Sequence, residues 1–214
     1  KYIRVIIYLS ILFFYYYKIS IYISIIVLII IELKYEIQKI LLTIIGNSLF
    51  DGNSSLFRTN VEKINVYGEY GVGKSTIWVH NNTNANIISI DTSLDWVNKI
   101  KRKIKNYDTI DIEFIDLGEI SDWGRPISYI NRNFIYTYVS NIWKKDIKPE
   151  LVLIDGRFRV ACFLYSLING SVGTKIIFDD YTNRPHYHVV EEFIQPIEIC
   201  GKQALFIIPN NLDV

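Results

Sequence analysis

The chain is 214 residues long, half of it hydrophobic, with 23 basic and 22 acidic side chains and a formal net charge of +1. That content builds one ordinary domain with an extra segment and excludes a disordered chain, while the charge balance gives no field that would draw in nucleic acid. Two cysteines, Cys162 and Cys200, are too few for a disulfide framework and match no metal spacing, so both read as core thiols in a reducing compartment.

From Ile3 to Ile31 the chain is almost continuously apolar, longer than the roughly 20 residues that cross a bilayer. Nineteen Ile, Leu, Val and Phe residues in this stretch outweigh the single internal Lys18 on an insertion scale. No small-residue cleavage site follows, so residues 1–36 read as an uncleaved membrane anchor rather than a secretory signal. The competing reading is an apolar tract without a role, produced by the Ile and Tyr bias of the chain or by a mis-assigned start, since methionine is absent throughout. The expectation is a membrane-anchored protein with a cytoplasmic domain if residues 1–36 are native, and a cytoplasmic protein otherwise. Residues 37–60 then read as a helix stopped by Gly46-Asn47-Ser48 and a linker. The main domain is expected over residues 61–214.

After that boundary, strand-like runs at Lys63–Tyr67, Asn86–Asp91, Ile110–Leu117, Leu151–Asp155, Lys175–Asp179 and Ala204–Ile208 alternate with helix-like ones at Ser75–His80, Leu94–Ile104, Phe134–Lys144 and Val160–Ile168. This rhythm predicts an α/β domain with a doubly wound, mostly parallel sheet, preceded by the apolar N-terminal helix. Ligands of such sheets bind at the carboxyl ends of the strands, where Glu69, Asp91, Asp116, Asp155, Asp179 and Asp180 fall.

The stretch Val66-Tyr67-Gly68-Glu69-Tyr70-Gly71-Val72-Gly73-Lys74-Ser75 satisfies two signatures at once. As Gly68-x4-Gly73-Lys74-Ser75 it is a Walker A match, with Asp155 available as the Mg²⁺-holding acid of a P-loop NTPase or kinase. As Glu69-x-Gly71-x-Gly73 it resembles the first motif of class I S-adenosylmethionine-dependent methyltransferases. Asp91, about 20 residues on, is where an acid accepts from ribose hydroxyls in dinucleotide-type folds; as an alternative it opens the helix before Ser93.

Leu151-Val152-Leu153-Ile154-Asp155-Gly156 and Lys175-Ile176-Ile177-Phe178-Asp179-Asp180-Tyr181 extend the resemblance to the Rossmann-like methyltransferase fold, and are similar to the catechol-type O-methyltransferases. That family implies S-adenosylmethionine as cofactor, bound through Glu69, Gly71, Gly73, Asp91, Asp116 and Asp155, with Asp116 accepting from the adenine amino group. It also implies a Mg²⁺ ion on Asp155, Asp179 and Asp180. Two departures stand out: Asp180 replaces an asparagine, and Gly156-Arg157-Phe158-Arg159 lacks the family's lysine base. Asp122-Trp123-Gly124-Arg125-Pro126 and Asp180-Tyr181-x3-Pro185-His186-Tyr187 look like a little-described methyltransferase-like group of this fold. Lys74 and Ser75 stand where methyltransferases commonly carry small residues, which keeps the P-loop reading open.

In an extended loop His186 and His188 would share one side, making His186 a candidate base beside Asp180; the alternative is a packing loop around Tyr187. Arg157 and Arg159 read either as paired donors to a substrate carboxylate or phosphate or as solvated or salt-bridged charges. Trp123 would cover the adenine or plug the sheet edge, and His80 reads as structural. The methyl acceptor is unspecified by any residue, and a catalytically inert domain of the same fold is the remaining alternative.

Overall fold

The structure is a computed structural model that describes residues 2–46 and 48–211. The chain divides into two compact units, Lys1–Ser48 and Leu49–Val214. The first is one helix, α1 (Tyr2–Gly46). Its segment Leu12–Lys34 is 23 residues long and, among the described residues, is the helix long and apolar enough to cross a membrane; every residue of it is exposed. Lys1 and residues 212–214, where the expected anchor and domain begin and end, lie outside the described residues.

The second unit carries a seven-stranded sheet in the order β3-β2-β1-β6-β7-β9-β8. Chain order runs β1 (Val66–Tyr70), β2 (Asn86–Asp91), β3 (Ile110–Phe114), a two-stranded ribbon of β4 (Ile120–Ser121) and β5 (Arg125–Pro126), then β6 (Leu151–Ile154), β7 (Lys175–Phe178), β8 (Glu198–Cys200) and β9 (Gln203–Ile207). The strands from β3 to β7 are parallel, and β9 and β8 close the edge antiparallel. The expected mostly parallel sheet is therefore present. Helices α3 (Lys74–Asn82), α4 (Leu94–Lys101) and α6 (Arg159–Asn169) make the crossovers.

Burial on both faces explains why the strands read as continuous apolar runs. In β6, Val152 and Ile154 join Tyr138, Cys162, Phe163 and Leu167 of α5 (Asn133–Ser140) and α6 on one face. Leu151 and Leu153 join Phe57, Val79, Val97 and Ile100 on the other. Cys162 and Cys200 are free thiols, Cys162 buried.

The compact unit starts earlier than residue 61. The stretch read as a linker contains helix α2 (Ser55–Val61), whose Leu56, Phe57 and Val61 are buried. Phe57 stacks edge-on against Phe50, Tyr67 and Trp78. The Gly, Asn and Ser content around it is turn chemistry, not disorder.

The first strand also differs from the expected Lys63–Tyr67, running three residues further. Gly68 does not break it: Gly68 pairs with Ile88 and Val152 inside the sheet. A Cβ there would lie 2.7 Å from Pro149 Cγ, so the glycine admits a close neighbour instead of making a turn.

Candidate functional site

The order of the sheet reverses between β1 and β6, which opens a crevice at their carboxyl ends. Two glycines line it back to back. Gly71 has φ +98°, a conformation that favours glycine. A Cβ on Gly71 would sit 2.8 Å from the Gly156 nitrogen, and a Cβ on Gly156 would sit 2.9 Å from the Gly71 nitrogen. Gly73 is different: a Cβ there meets nothing nearer than Trp96 Nε1 at 3.9 Å. Its backbone therefore has no tight neighbour on that side, at the N-terminus of α3, where its own amide donates to Thr76 Oγ1 at 2.9 Å.

Asp91 ends β2 beside this turn. Its Oδ2 accepts from the Val72 amide and its Oδ1 from the Ser93 amide, both at 2.8 Å. Each oxygen keeps a further lone pair for a ligand hydroxyl. The helix-opening reading of Asp91 holds, since it fixes the helix entry; the same carboxylate also faces the glycine turn. Burial pushes its carboxyl up, opposed by the amides of Ser93, Val72 and Thr92 and by the charge of Arg157. Thr92 Oγ1 donates to the Gly124 carbonyl at 2.9 Å, tying the β4–β5 ribbon to the end of β2. Asp116 lies exposed beyond β3, with its Oδ1 accepting from Gly118 N at 2.8 Å. Trp123 is 88 % exposed at φ 62°, so it does not plug the sheet edge. Trp96 is the aromatic nearer the turn; its only sequence signal is its place three residues after the Ser93 cap.

Glu69 does not face the crevice. It is fully buried inside β1, where Tyr67 Oη and Ser75 Oγ donate to Oε1, and Thr76 Oγ1 and Ser89 Oγ donate to Oε2. Desolvation raises its carboxyl to about 7 against the pull of these four donors. The residue assigned to the cofactor's amino acid part is instead an internal clasp joining β1, β2 and α3.

The same clasp removes the Walker A reading. A phosphate-cradling loop needs its first glycine to open the turn, but Gly68 is inside β1 and only residues 71–73 separate β1 from α3. The Ser75 hydroxyl, which would touch Mg²⁺, is buried against Glu69.

Asp155, Asp179 and Asp180 do come together, with one carboxylate oxygen from each within 4.8 Å of the others. What they surround is Arg159, 5 % exposed. Its Nη2 reaches Asp155 Oδ1 at 2.9 Å, Asp180 Oδ2 at 3.3 Å and the Asp155 carbonyl at 3.0 Å. Its Nε donates to Gly156 O at 3.1 Å, and Nη1 donates to the Asp179 carbonyl. Arg184 Nη2 takes Asp180 Oδ2 at 2.7 Å, and Gln203 Nε2 donates to Asp179 Oδ1 at 2.8 Å. Burial and mutual repulsion raise both Asp155 and Asp179. These residues do not fit Mg²⁺: a fixed guanidinium already takes Asp155 Oδ1 and Asp180 Oδ2, Gln203 takes Asp179 Oδ1, and the buried charge would repel a dication. With its Oδ2 shared by two guanidiniums, Asp180 is likewise no free base.

His186 and His188 do not lie side by side. Residues Pro185–Glu192 form a 3-10 helix, not an extended loop. His186 is exposed, against the Tyr187 ring at 4.3 Å. His188 stacks on Tyr181 at 4.6 Å, its Nε2 3.2 Å from the Tyr181 carbonyl. Tyr187 packs on Phe178 and lies near both Arg159 and Arg184.

No family model matches the chain, and no curated protein matches it. Among solved structures, a methyltransferase-like protein from Silicibacter pomeroyi is 28 % identical with a TM-score of 0.68, over 73 % of this chain and 84 % of its own. An O-methyltransferase from Bacillus cereus in complex with SAH is 13 % identical with a TM-score of 0.49, over 81 % and 89 %. An RNA methyltransferase from Salinibacter ruber is 15 % identical with a TM-score of 0.44, over 73 % and 88 %. The last two likenesses are too loose to carry an argument, but the first is not. The chain has the class I methyltransferase-like, Rossmann-like fold.

Proposed function

We propose that the domain beginning at Leu49 binds S-adenosylmethionine in the crevice between β1 and β6 and transfers its methyl group to an acceptor. The observation that carries the reading is the Gly71–Gly73 turn, bound through Val72 N–H to Asp91, in a fold similar to a methyltransferase-like protein. The crevice fits the cofactor. Gly73 leaves backbone free of any tight neighbour, and the Asp91 oxygens have lone pairs left for ribose hydroxyls. Asp116, exposed beyond β3, is the acid on the adenine side.

The cofactor supplies an electrophilic methyl group on a sulfonium. The protein's part is to hold the acceptor in line with it, because placement supplies most of the acceleration in such a displacement. Asp155, Asp179 and Asp180 give that end of the crevice carboxylate character, and Arg159 fixes their positions. His186, exposed at the start of its 3-10 helix, is the group free to take a proton from an incoming nucleophile.

Two substitutions test the reading. Asp91→Ala should weaken S-adenosylhomocysteine by about 10- to 100-fold, the loss of hydrogen bonds to a charged group. Lys74→Ala should leave that affinity within about twofold, for the exposed Lys74 has no phosphate to hold here. Titration calorimetry of the full chain in detergent reads both, and equal losses in the two variants would sink the assignment.

We also infer that α1 anchors the chain in a membrane, with the domain on the cytoplasmic side, supported by Leu12–Lys34. Carbonate extraction should leave the full chain with the membrane and release a chain lacking residues 1–48. Release of both would contradict the anchor.

A further inference from the structure

Arg157 is a cation of the crevice whose guanidinium makes no ion pair with any described residue. Its two neighbours are paired: Arg159 by Asp155, Asp180 and three carbonyls, Arg184 by Asp180 and Tyr187. The Arg157 guanidinium makes no hydrogen bond or ion pair among the described residues. Its Nε is buried with no hydrogen-bond partner, although buried donors in folded proteins are nearly always paired.

Its position is set by the backbone. Gly156 lies against Gly71, which brings residue 157 beside the glycine turn, and the Arg157 amide donates to Tyr138 Oη at 3.3 Å. The next residue, Phe158, is held at φ 54°, a conformation costly for a residue with a Cβ, so the loop is fixed rather than relaxed. The Arg157 charge also reaches Asp91 across the turn. Burial and then the charge of Arg159 push the guanidinium down. A half-buried cation beside like charges, with no carboxylate at ion-pair distance, is relieved by an incoming anion.

We propose that Arg157 is the oxyanion-binding group of the crevice and receives a carboxylate or phosphate borne by one of the two substrates. This rests on the methyl-transfer reading. The anion comes from one of two sources, the amino-acid carboxylate of the cofactor or an acidic group on the acceptor.

Calorimetry on the full chain in detergent separates them, using wild type, Arg157→Gln and Arg157→Lys. The ligands are S-adenosylhomocysteine and methylthioadenosine, which lacks the amino-acid half. Succinate and inorganic phosphate are then titrated into protein saturated with S-adenosylhomocysteine. If the cofactor supplies the anion, Arg157→Gln weakens S-adenosylhomocysteine by about 10- to 100-fold, the scale of charge-assisted bonds, leaves methylthioadenosine within twofold, and Arg157→Lys recovers part of the loss. If the acceptor supplies it, Arg157→Gln leaves S-adenosylhomocysteine unchanged and abolishes the succinate or phosphate binding seen in loaded wild type. Equal weakening of both nucleosides, or an Arg157→Gln protein that matches wild type in every titration, overturns the proposal. A wild type that binds neither nucleoside overturns the methyl-transfer reading itself, a result distinct from any behaviour of the variant.

Discussion

Replacing Arg159 by methionine should destabilise the domain by about 3–5 kcal/mol, the cost of removing one partner from a buried ion pair, and should create a divalent cation site. Arg159 is nearly buried and satisfies Asp155, Asp180 and the carbonyls of Asp155, Gly156 and Asp179 together. Methionine keeps the apolar stem and removes every one of these bonds. Asp155 contributes least to the loss, for its side chain is 35 % exposed and water screens it; Asp180 at 15 % and the buried carbonyls contribute more. With the guanidinium gone, three carboxylates lie within 4.8 Å of one another, which is oxygen-ligand chemistry suited to Mg²⁺ or Ca²⁺. Thermal unfolding should therefore show a divalent cation raising the midpoint of Arg159→Met while leaving wild type unmoved. A wild type stabilised by Mg²⁺ would contradict the account of this cluster.

Replacing Glu69 by alanine should cost about 4–6 kcal/mol, since four buried hydroxyls lose their acceptor and each unsatisfied group costs about 1–3 kcal/mol before water or rotation relieves it. Glu69→Gln keeps the shape and, with the hydroxyls rotated, most of the bonds. The pair also isolates a pH effect. The folded-state value of about 7 lies above the usual 4.5, so across that window the native state holds a proton that the unfolded chain has released. Stability contributed by the protonated carboxyl is present at low pH and lost as pH rises from about 4.5 to about 7. The slope reaches at most about 1.4 kcal/mol per pH unit. Asp91, Asp155 and Asp179 are raised as well and act in the same direction, so the measurement is the difference between wild type and Glu69→Gln in urea at pH 5 and pH 8. Wild type should lose stability relative to Glu69→Gln between pH 5 and pH 8; an equal difference at both would refute the clasp's titration.

The alternation of apolar strands and helices made the sheet legible, because a two-sided sheet demands runs such as Leu151-Val152-Leu153-Ile154 and Lys175-Ile176-Ile177-Phe178. The antiparallel edge strand Glu198–Cys200 has no such run, for it is half exposed. Helix α2 was hidden by the turn residues around it, and its burial depends on Phe50, Tyr67 and Trp78, which are distant or unpatterned in sequence.

At the site, spacing identified the carboxyl-end acids but not their partners. Glu69 fits a nucleotide motif on paper, yet its direction depends on which face of β1 it occupies, and the expected strand ended before reaching it. Asp155, Asp179 and Asp180 resemble a metal set in sequence because only the fold brings Arg159 among them; the salt-bridged reading of Arg159 is the one that holds, and its spacing of four from Asp155 across a helix start is its signal. His186 and His188 share a side only in extended backbone, and Pro185 at the head of a 3-10 helix removes that condition.

On the methyl-transfer reading, the Gly71–Gly73 turn and Asp91 form a cofactor pocket and not a phosphate loop. Titration calorimetry of the full chain in detergent with S-adenosylhomocysteine and, separately, Mg-ATP tests it most directly. Binding of S-adenosylhomocysteine, lost in Asp91→Ala and kept in Lys74→Ala, is the predicted result. Binding of ATP without S-adenosylhomocysteine, or of neither, would contradict it.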